Sequence, residues 1–294
     1  MRGDRKSGVM HARYLVRVLA VMACVWLIDQ GHELIAATPP RPAIREFTSD
    51  ITLRGERLTL HFALPSVPVS PATPLVLYAS GDGGWFGAAV SMFRALARSG
   101  YPVVGISSRS FMHIERRKSA PLTEAEVVAG YLQIIDAARA RMSLQADAPV
   151  VLTGWSRGAA LGVLVASSPE VDARVIGLVA IGVAADEQLD IDYDSDDDSG
   201  TVASPTRHVS NDRAIEMYPL IARMTGRRTV VIQASHDGYL SAARARELFG
   251  PDTAARRLLA IEARNHRFDG GEQAFTAALA EALEWVSRRE DGAR

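Results

Sequence analysis

Cysteine is almost missing: Cys24 is the single one among 294 residues. Removal of a leader that contains it would leave none, so no disulfide can hold the mature fold together. Charge of one sign is missing too. The 33 Lys and Arg stand against 34 Asp and Glu, a formal net of −1. That argues against a nucleic-acid binder, which carries a basic surplus. No segment repeats at a period of roughly 20–50 residues, so repeat architectures are excluded. Uninterrupted apolar runs are short. Residues 18–28 make a run of eleven, well under the ~20 that a comfortable transmembrane helix needs. What the chain does have is 48% apolar residues, enough for one large core, and α/β enzymes of this length are often a single domain.

The first 37 residues read as an export signal. Arg2, Arg5, Lys6, Arg13 and Arg17 give a basic start, the apolar run follows, and Ile35-Ala36-Ala37 offers small residues before Pro39-Pro40. This is the order of a secretory signal peptide. It predicts cleavage near Ala37, a periplasmic protein and a mature domain over 38–294. Two other readings of the same stretch stand beside it. Residues 15–28 could remain as an uncleaved anchor if Arg17 is tolerated. Val21-Met22-Ala23-Cys24 could be a lipobox with Cys24 acylated, although Val25-Trp26-Leu27-Ile28 after it argues against that.

Beyond a Pro-rich lead, residues 44–52 and 56–63 read as a strand pair turning at Arg54-Gly55. Short apolar runs then begin at Leu75, Val103, Val150, Val175, Thr229 and Leu258. Each suits a strand buried on both faces. Helical stretches are expected at 86–98, 122–142, 157–167, 212–224, 241–249 and 271–288. This alternation implies an α/β fold with a mostly parallel sheet and helices on both sides. Ligands in such sheets bind beyond the carboxyl ends of the strands, so the loops after these runs should carry the chemistry.

Gly154-Trp155-Ser156-Arg157-Gly158 matches G-x-S-x-G, with a strand before it and a helix after it. In that context the serine is a nucleophile held on a tight turn. It needs a base, and the partners follow in the order Ser, acid, His. His266 lies on the loop after the last strand and is the expected base. Asp237, after the preceding strand, is the expected acid. Asp186, Asp190 and Asp192 are the alternatives, in which case Asp237 would merely cap the next helix. Two N–H groups should form an oxyanion hole. One is that of Arg157, next to the nucleophile. The other is expected from Ser80-Gly81-Asp82-Gly83-Gly84-Trp85, with Asp82 first and Gly83 behind it. Gly83 and Trp85 on this loop, and Arg109 at the end of a strand, are expected at the substrate. A phosphate-cradling role for the loop is weaker, since no Lys-Ser or Lys-Thr pair follows.

At these residues the chain resembles the VirJ-type bacterial virulence protein family, which includes the C-terminal part of AcvB-like proteins. The loop from Ser80 to Trp85 carries the resemblance most specifically. Gly100-Tyr101-Pro102-Val103-Val104-Gly105, Ser108-Arg109-Ser110-Phe111 and His266-Arg267-Phe268-Asp269-Gly270 extend it, from about Pro74 to Phe275. The resemblance implies an α/β-hydrolase fold, a periplasmic location and, for some members, hydrolysis of aminoacylated phosphatidylglycerol. It also implies Ser156, Asp237 and His266 as the triad. Two departures stand out. Arg157 occupies a position where an apolar residue is expected, and an acidic insertion at about 183–210 contains Asp190, Asp192, Asp194, Asp196, Asp197 and Asp198. An EF-hand reading of that stretch fails, because Asp197 stands where the loop needs Gly and Ala203 where it needs Glu.

Two function classes follow. One is an exported esterase that cleaves an acyl or aminoacyl ester through an acyl-enzyme, with no metal or organic cofactor. Its partners would be an ester substrate, a phospholipid head group among the candidates, and through it the membrane surface. The other is a periplasmic binding or assembly protein on a hydrolase scaffold. An intact Ser, Asp and His set argues for the first.

Overall fold

A computed structural model describes residues 42–116, 122–171, 173–189, 214–224 and 226–288. The leader and the acidic run from Asp190 to Asp198 lie outside the described residues, as do their expected roles. The chain enters as an antiparallel hairpin, β1 (Ile44–Leu53) and β2 (Glu56–Pro65). The turn sits where the sequence put it, with Arg54 and Gly55 both at positive φ. Then come β3 (Leu75–Ala79), α1 (Ala88–Arg98), β4 (Val103–Ile106), α2 (Ser108–Arg116) and α3 (Glu124–Arg141). β5 (Val150–Trp155), α4 (Arg157–Ser167) and β6 (Val175–Ile181) form the centre. The last part holds β7 (Asp186–Glu187), β8 (Ile215–Glu216), α5 (Met217–Arg223), β9 (Arg228–Ala234), α6 (Ala242–Phe249), β10 (Arg256–Ile261) and α7 (Glu272–Ser287).

Eight strands form one sheet in the order β1-β2-β4-β3-β5-β6-β9-β10. β2 meets β4 antiparallel, and every pairing from β4 to β10 is parallel. The apolar runs are continuous because both faces are covered, yet each strand still alternates. Leu75, Leu77 and Ala79 of β3 enter one core with α3, α4, α5 and α6. Val76 and Tyr78 enter the other with α1 and α7. α4 lies centrally and is buried all round, as its apolar circumference requires. Its one charged residue is Arg157.

Two elements differ from the sequence reading. α2 stands where a loop was expected. Its start is set by Ser107, whose hydroxyl accepts the Ser110 N–H at 3.2 Å while its carbonyl accepts that of Phe111, so this serine caps the helix. The helix expected over 212–224 is short, beginning at Met217 after a two-residue strand. Pro219 explains the limit. A helix begun one turn earlier would push the proline ring against the Ile215 carbonyl. Ile215 and Glu216 pair instead with Glu187 and Asp186, so the β7–β8 ribbon joins the two ends of the segment 188–214 in which the acidic run lies.

Candidate active site

The strand β5 runs into α4 through Ser156, whose backbone sits at φ 57° and ψ −121°. Few non-glycine residues tolerate positive φ, and such strain concentrates at functional sites. The flanking glycines have a steric cause. A Cβ on Gly154 would lie 2.1 Å from the Gly158 carbonyl oxygen, and one on Gly158 would lie 2.1 Å from the Ala79 oxygen. The helix start is therefore packed backbone to backbone against β5 and β3. The Ser156 N–H donates to the Ile181 carbonyl at 2.8 Å, tying the turn to the end of β6. The N-terminus of α4 then presents its N–H groups and positive dipole end at the serine.

Asp237 follows β9 and His266 follows β10. Ladder-like bonds hold these two loops together: Ser235 N–H to the Ile261 carbonyl and His236 N–H to that of Ala263. The His266 turn is folded around Asn265, whose side-chain oxygen accepts the Arg267 and Asp269 N–H groups. It is anchored by buried Phe268, at φ 63°, stacked on Phe275 at 4.5 Å. Together these place His266 Nδ1 at 2.6 Å from Asp237 Oδ2. The carboxylate is fully buried, so the imidazole nitrogen that faces it carries the proton and donates. Nδ1 being the protonated nitrogen, Nε2 is left as the basic one.

The His266 ring is bracketed. Trp155 stacks on it at 5.4 Å between centroids and donates its indole N–H to the His266 carbonyl. The exposed Tyr239 ring meets it edge-on at 4.9 Å. Gly182, at the end of β6, lies beneath: a Cβ there would come within 2.8 Å of His266 Cε1. Ser156 and His266 are thus both seated on the end of β6, at Ile181 and Gly182. They do not share a hydrogen bond here, and His266 Nε2 is buried with no hydrogen-bond partner among the described residues. Asp186, the described alternative acid, lies instead in the β7–β8 ribbon opposite Glu216.

Asp237 has a further partner that the sequence reading missed. Gln233, on β9 and fully buried, donates its amide to Asp237 Oδ2 at 3.1 Å and to the Leu240 carbonyl. The Tyr239 N–H donates to Oδ1 at 2.9 Å. The signal was present: Gln233 is the polar residue in the apolar run Val230-Val231-Ile232-Gln233-Ala234, and a buried amide needs partners. Tyr218 of α5 lies near as well. Burial first, and the Asp237 charge second, push its hydroxyl up from the ordinary tyrosine value. Replacing Gln233 by Leu removes a hydrogen bond to a charged group, worth about 1.5–3 kcal/mol. If Asp237 depends on it, ester turnover should fall about tenfold or more with KM within about twofold. An unchanged kcat in that variant would show that Asp237 is held without it.

The loop after β3 contacts the elbow directly. A Cβ on Gly81 would lie 3.2 Å from that of Ser156. Asp82 accepts from the Arg157 side chain, so the two expected oxyanion-hole residues are joined to each other. Gly83 lies under the exposed Phe86 ring, and Arg109 is exposed on the first turn of α2. Trp85, expected at the substrate, is half-buried. Its indole packs against the core, stacked on His61 at 4.0 Å and edge-on to Phe93 at 5.0 Å. Burial beside it lowers the His61 pKa. Trp85 anchors the loop by filling the space above Gly105, where a Cβ would lie 2.1 Å from the indole. Gly105→Ala should therefore destabilise the protein by about 1–3 kcal/mol through overpacking. Thermal denaturation measures this, and an unchanged midpoint would mean that the indole is free to move aside.

Among the described residues no group of three or more His, Cys, Asp or Glu is placed to hold a metal ion. No helix among them is long and apolar enough to cross a membrane.

The strand order and the strained elbow define an α/β-hydrolase fold. Solved structures agree on the fold. Est1E from Butyrivibrio proteoclasticus superposes with a TM-score of 0.58 at 15% identity, over 82% of this chain and 99% of its own. A dienelactone hydrolase from Anabaena variabilis does so at 0.57 and 16%, over 84% and 100%. The esterase domain of a Rhodothermus marinus protein does so at 0.55 and 18%, over 84% and 98%. No curated protein matches the chain in sequence. The chain belongs to the bacterial virulence protein (VirJ) family, which it matches over residues 73–285.

Proposed function

We propose that this protein is an exported serine hydrolase that cleaves an ester through Ser156, His266 and Asp237. The observation that carries the reading is the buried Asp237–His266 pair at 2.6 Å, set beside a serine on a strained strand-to-helix turn. In the reaction Ser156 Oγ attacks the ester carbonyl as His266 Nε2 takes its proton. The proton then passes to the leaving alcohol, and an acyl-enzyme remains. Water, deprotonated by His266, releases the acid. The Arg157 and Asp82 N–H groups would bind the oxyanion, with the α4 N-terminus behind them. The resemblance at the loop from Ser80 to Trp85 extends the proposal to aminoacyl esters, aminoacylated phosphatidylglycerol among them. The leader over 1–37 supports export to the periplasm.

Labelling with a fluorophosphonate probe tests the reading. The expected result is one adduct, lost on prior heat denaturation, that maps by mass spectrometry to the peptide containing Ser156. Release of lysine from vesicles that contain lysyl-phosphatidylglycerol tests the substrate class. No labelling of native protein would overturn the hydrolase reading, and labelling without lysine release would confine it to other esters.

A further inference from the structure

Arg157 is the one charged residue of a helix that is otherwise apolar, and it is 4% exposed. A buried guanidinium is stable only when paired and hydrogen-bonded. Here its Nε donates to Asp82 Oδ1, its Nη2 lies 3.2 Å from Glu187 Oε1, and its Nη1 reaches the Gln188 carbonyl at 3.5 Å. One planar side chain thus spans the loop after β3 and the strand β7, on either side of the elbow. Lysine could not: its ammonium is a point charge without the fork geometry.

What this span accomplishes follows from the loop it holds. The loop base is fixed by the Ser108 hydroxyl on the Gly81 carbonyl at 3.0 Å and by the Ser80 N–H on the Ile106 carbonyl. Its tip is different. Asp82 is flanked by Gly81, Gly83 and Gly84, the last at φ +88°, and glycines leave the backbone wide freedom. The tip is closed as a turn by the Gly84 N–H on the Gly81 carbonyl at 3.0 Å, and the Asp82 side chain, accepting from Arg157, ties that turn to the elbow. Since Arg157 also follows the nucleophile, its backbone and its side chain refer the two sides of the oxyanion hole to one residue. We infer that Arg157 is a positioning residue: its side chain, braced by Glu187, sets the Asp82 N–H at the distance from the elbow that a developing oxyanion needs. This rests on the hydrolase reading above.

The test uses the full mature protein and a p-nitrophenyl ester, with Arg157→Lys and Asp82→Asn as variants. Both keep every backbone N–H and loosen the Arg157–Asp82 contact. Loss of an oxyanion donor costs about 10²–10³ in kcat, so a donor displaced but not removed should cost about 10–10²-fold. KM should stay within about twofold. A trifluoromethyl ketone forms a tetrahedral oxyanion on the serine, so its affinity should fall by the same factor as kcat/KM. A purely structural role would lower the melting temperature and leave the ketone and substrate in step with wild type. The inference is overturned if kcat stays within twofold in both variants, or if KM rises while kcat holds. Should Arg157→Lys fail to fold, Asp82→Asn decides alone, since that side chain is 42% exposed and its change leaves the core untouched. Fluorophosphonate labelling of wild type separates the two claims. Labelled wild type with unaffected variants overturns the tether alone, whereas unlabelled wild type overturns the hydrolase reading and the tether with it.

Discussion

Ser156→Ala is expected to reduce ester hydrolysis to background, a loss on the order of 10⁶-fold if the rest of the site acts only through the serine. The variant should fold as wild type does. Alanine keeps the Cβ, so at φ 57° it bears the same backbone strain as serine and removes the hydroxyl alone. Glycine separates strain from chemistry. It has no Cβ penalty at positive φ, and the relief exceeds its larger unfolded-state entropy, so Ser156→Gly should be inactive yet about 1 kcal/mol more stable than wild type. Kinetics on an aryl ester and chemical denaturation of the three proteins measure both effects. Turnover in Ser156→Ala within tenfold of wild type would remove Ser156 from the reaction. A destabilised Ser156→Gly would mean that the elbow is not where the chain stores strain.

How far the sequence foretold this site depends on the range of the interaction. The elbow was legible because its motif is local, five consecutive residues between a strand and a helix. Gly154 and Gly158 stand two residues either side of Ser156; Gly154 avoids the Gly158 carbonyl that the strand-to-helix turn itself brings near, whereas Gly158 avoids the Ala79 carbonyl of the neighbouring β3. Asp237 and His266 were legible at one remove, since parallel strands deliver their following loops to one edge of the sheet. The strand order was not legible. β4 lies outside β3, between it and the hairpin, and nothing in Val103–Ile106 says which neighbour it takes. Gln233 and Glu187 went unnoticed for a related reason. Their importance comes from partners four residues and thirty residues away, and a polar residue in an apolar strand names no partner. The packing of Trp85 was not legible, because an aromatic beside a glycine-rich loop suits a ligand wall and a loop anchor equally. The contact that makes it an anchor is with Gly105, which belongs to β4. Arg157 looked like a departure from pattern, and the structure turns it into a tether because Asp82 and Glu187 converge on it from two directions.

Asp237→Asn is expected to cost about 10⁴-fold in kcat while the fold survives. Every group that meets this carboxylate is a donor: the Tyr239 N–H at Oδ1, and the Gln233 amide and His266 Nδ1 at Oδ2. An asparagine must turn its NH₂ toward one side. Facing Tyr239, it sets two donors against each other. Facing His266, it can be satisfied only if Nδ1 gives up its proton and accepts. The proton then resides on Nε2, and a protonated Nε2 cannot take the hydrogen of Ser156. Burial makes this choice costly to evade, because the carboxylate side chain has no solvent exposure and a buried donor left without its acceptor costs about 1–3 kcal/mol. The measurements are kcat for an aryl ester at neutral pH and the rate of fluorophosphonate labelling, which share the proton transfer and should fall together. Asp186→Asn, in the β7–β8 ribbon, should stay within about twofold by the same assays. A loss below tenfold for Asp237→Asn, or a larger one for Asp186→Asn, would move the acid away from the loop after β9.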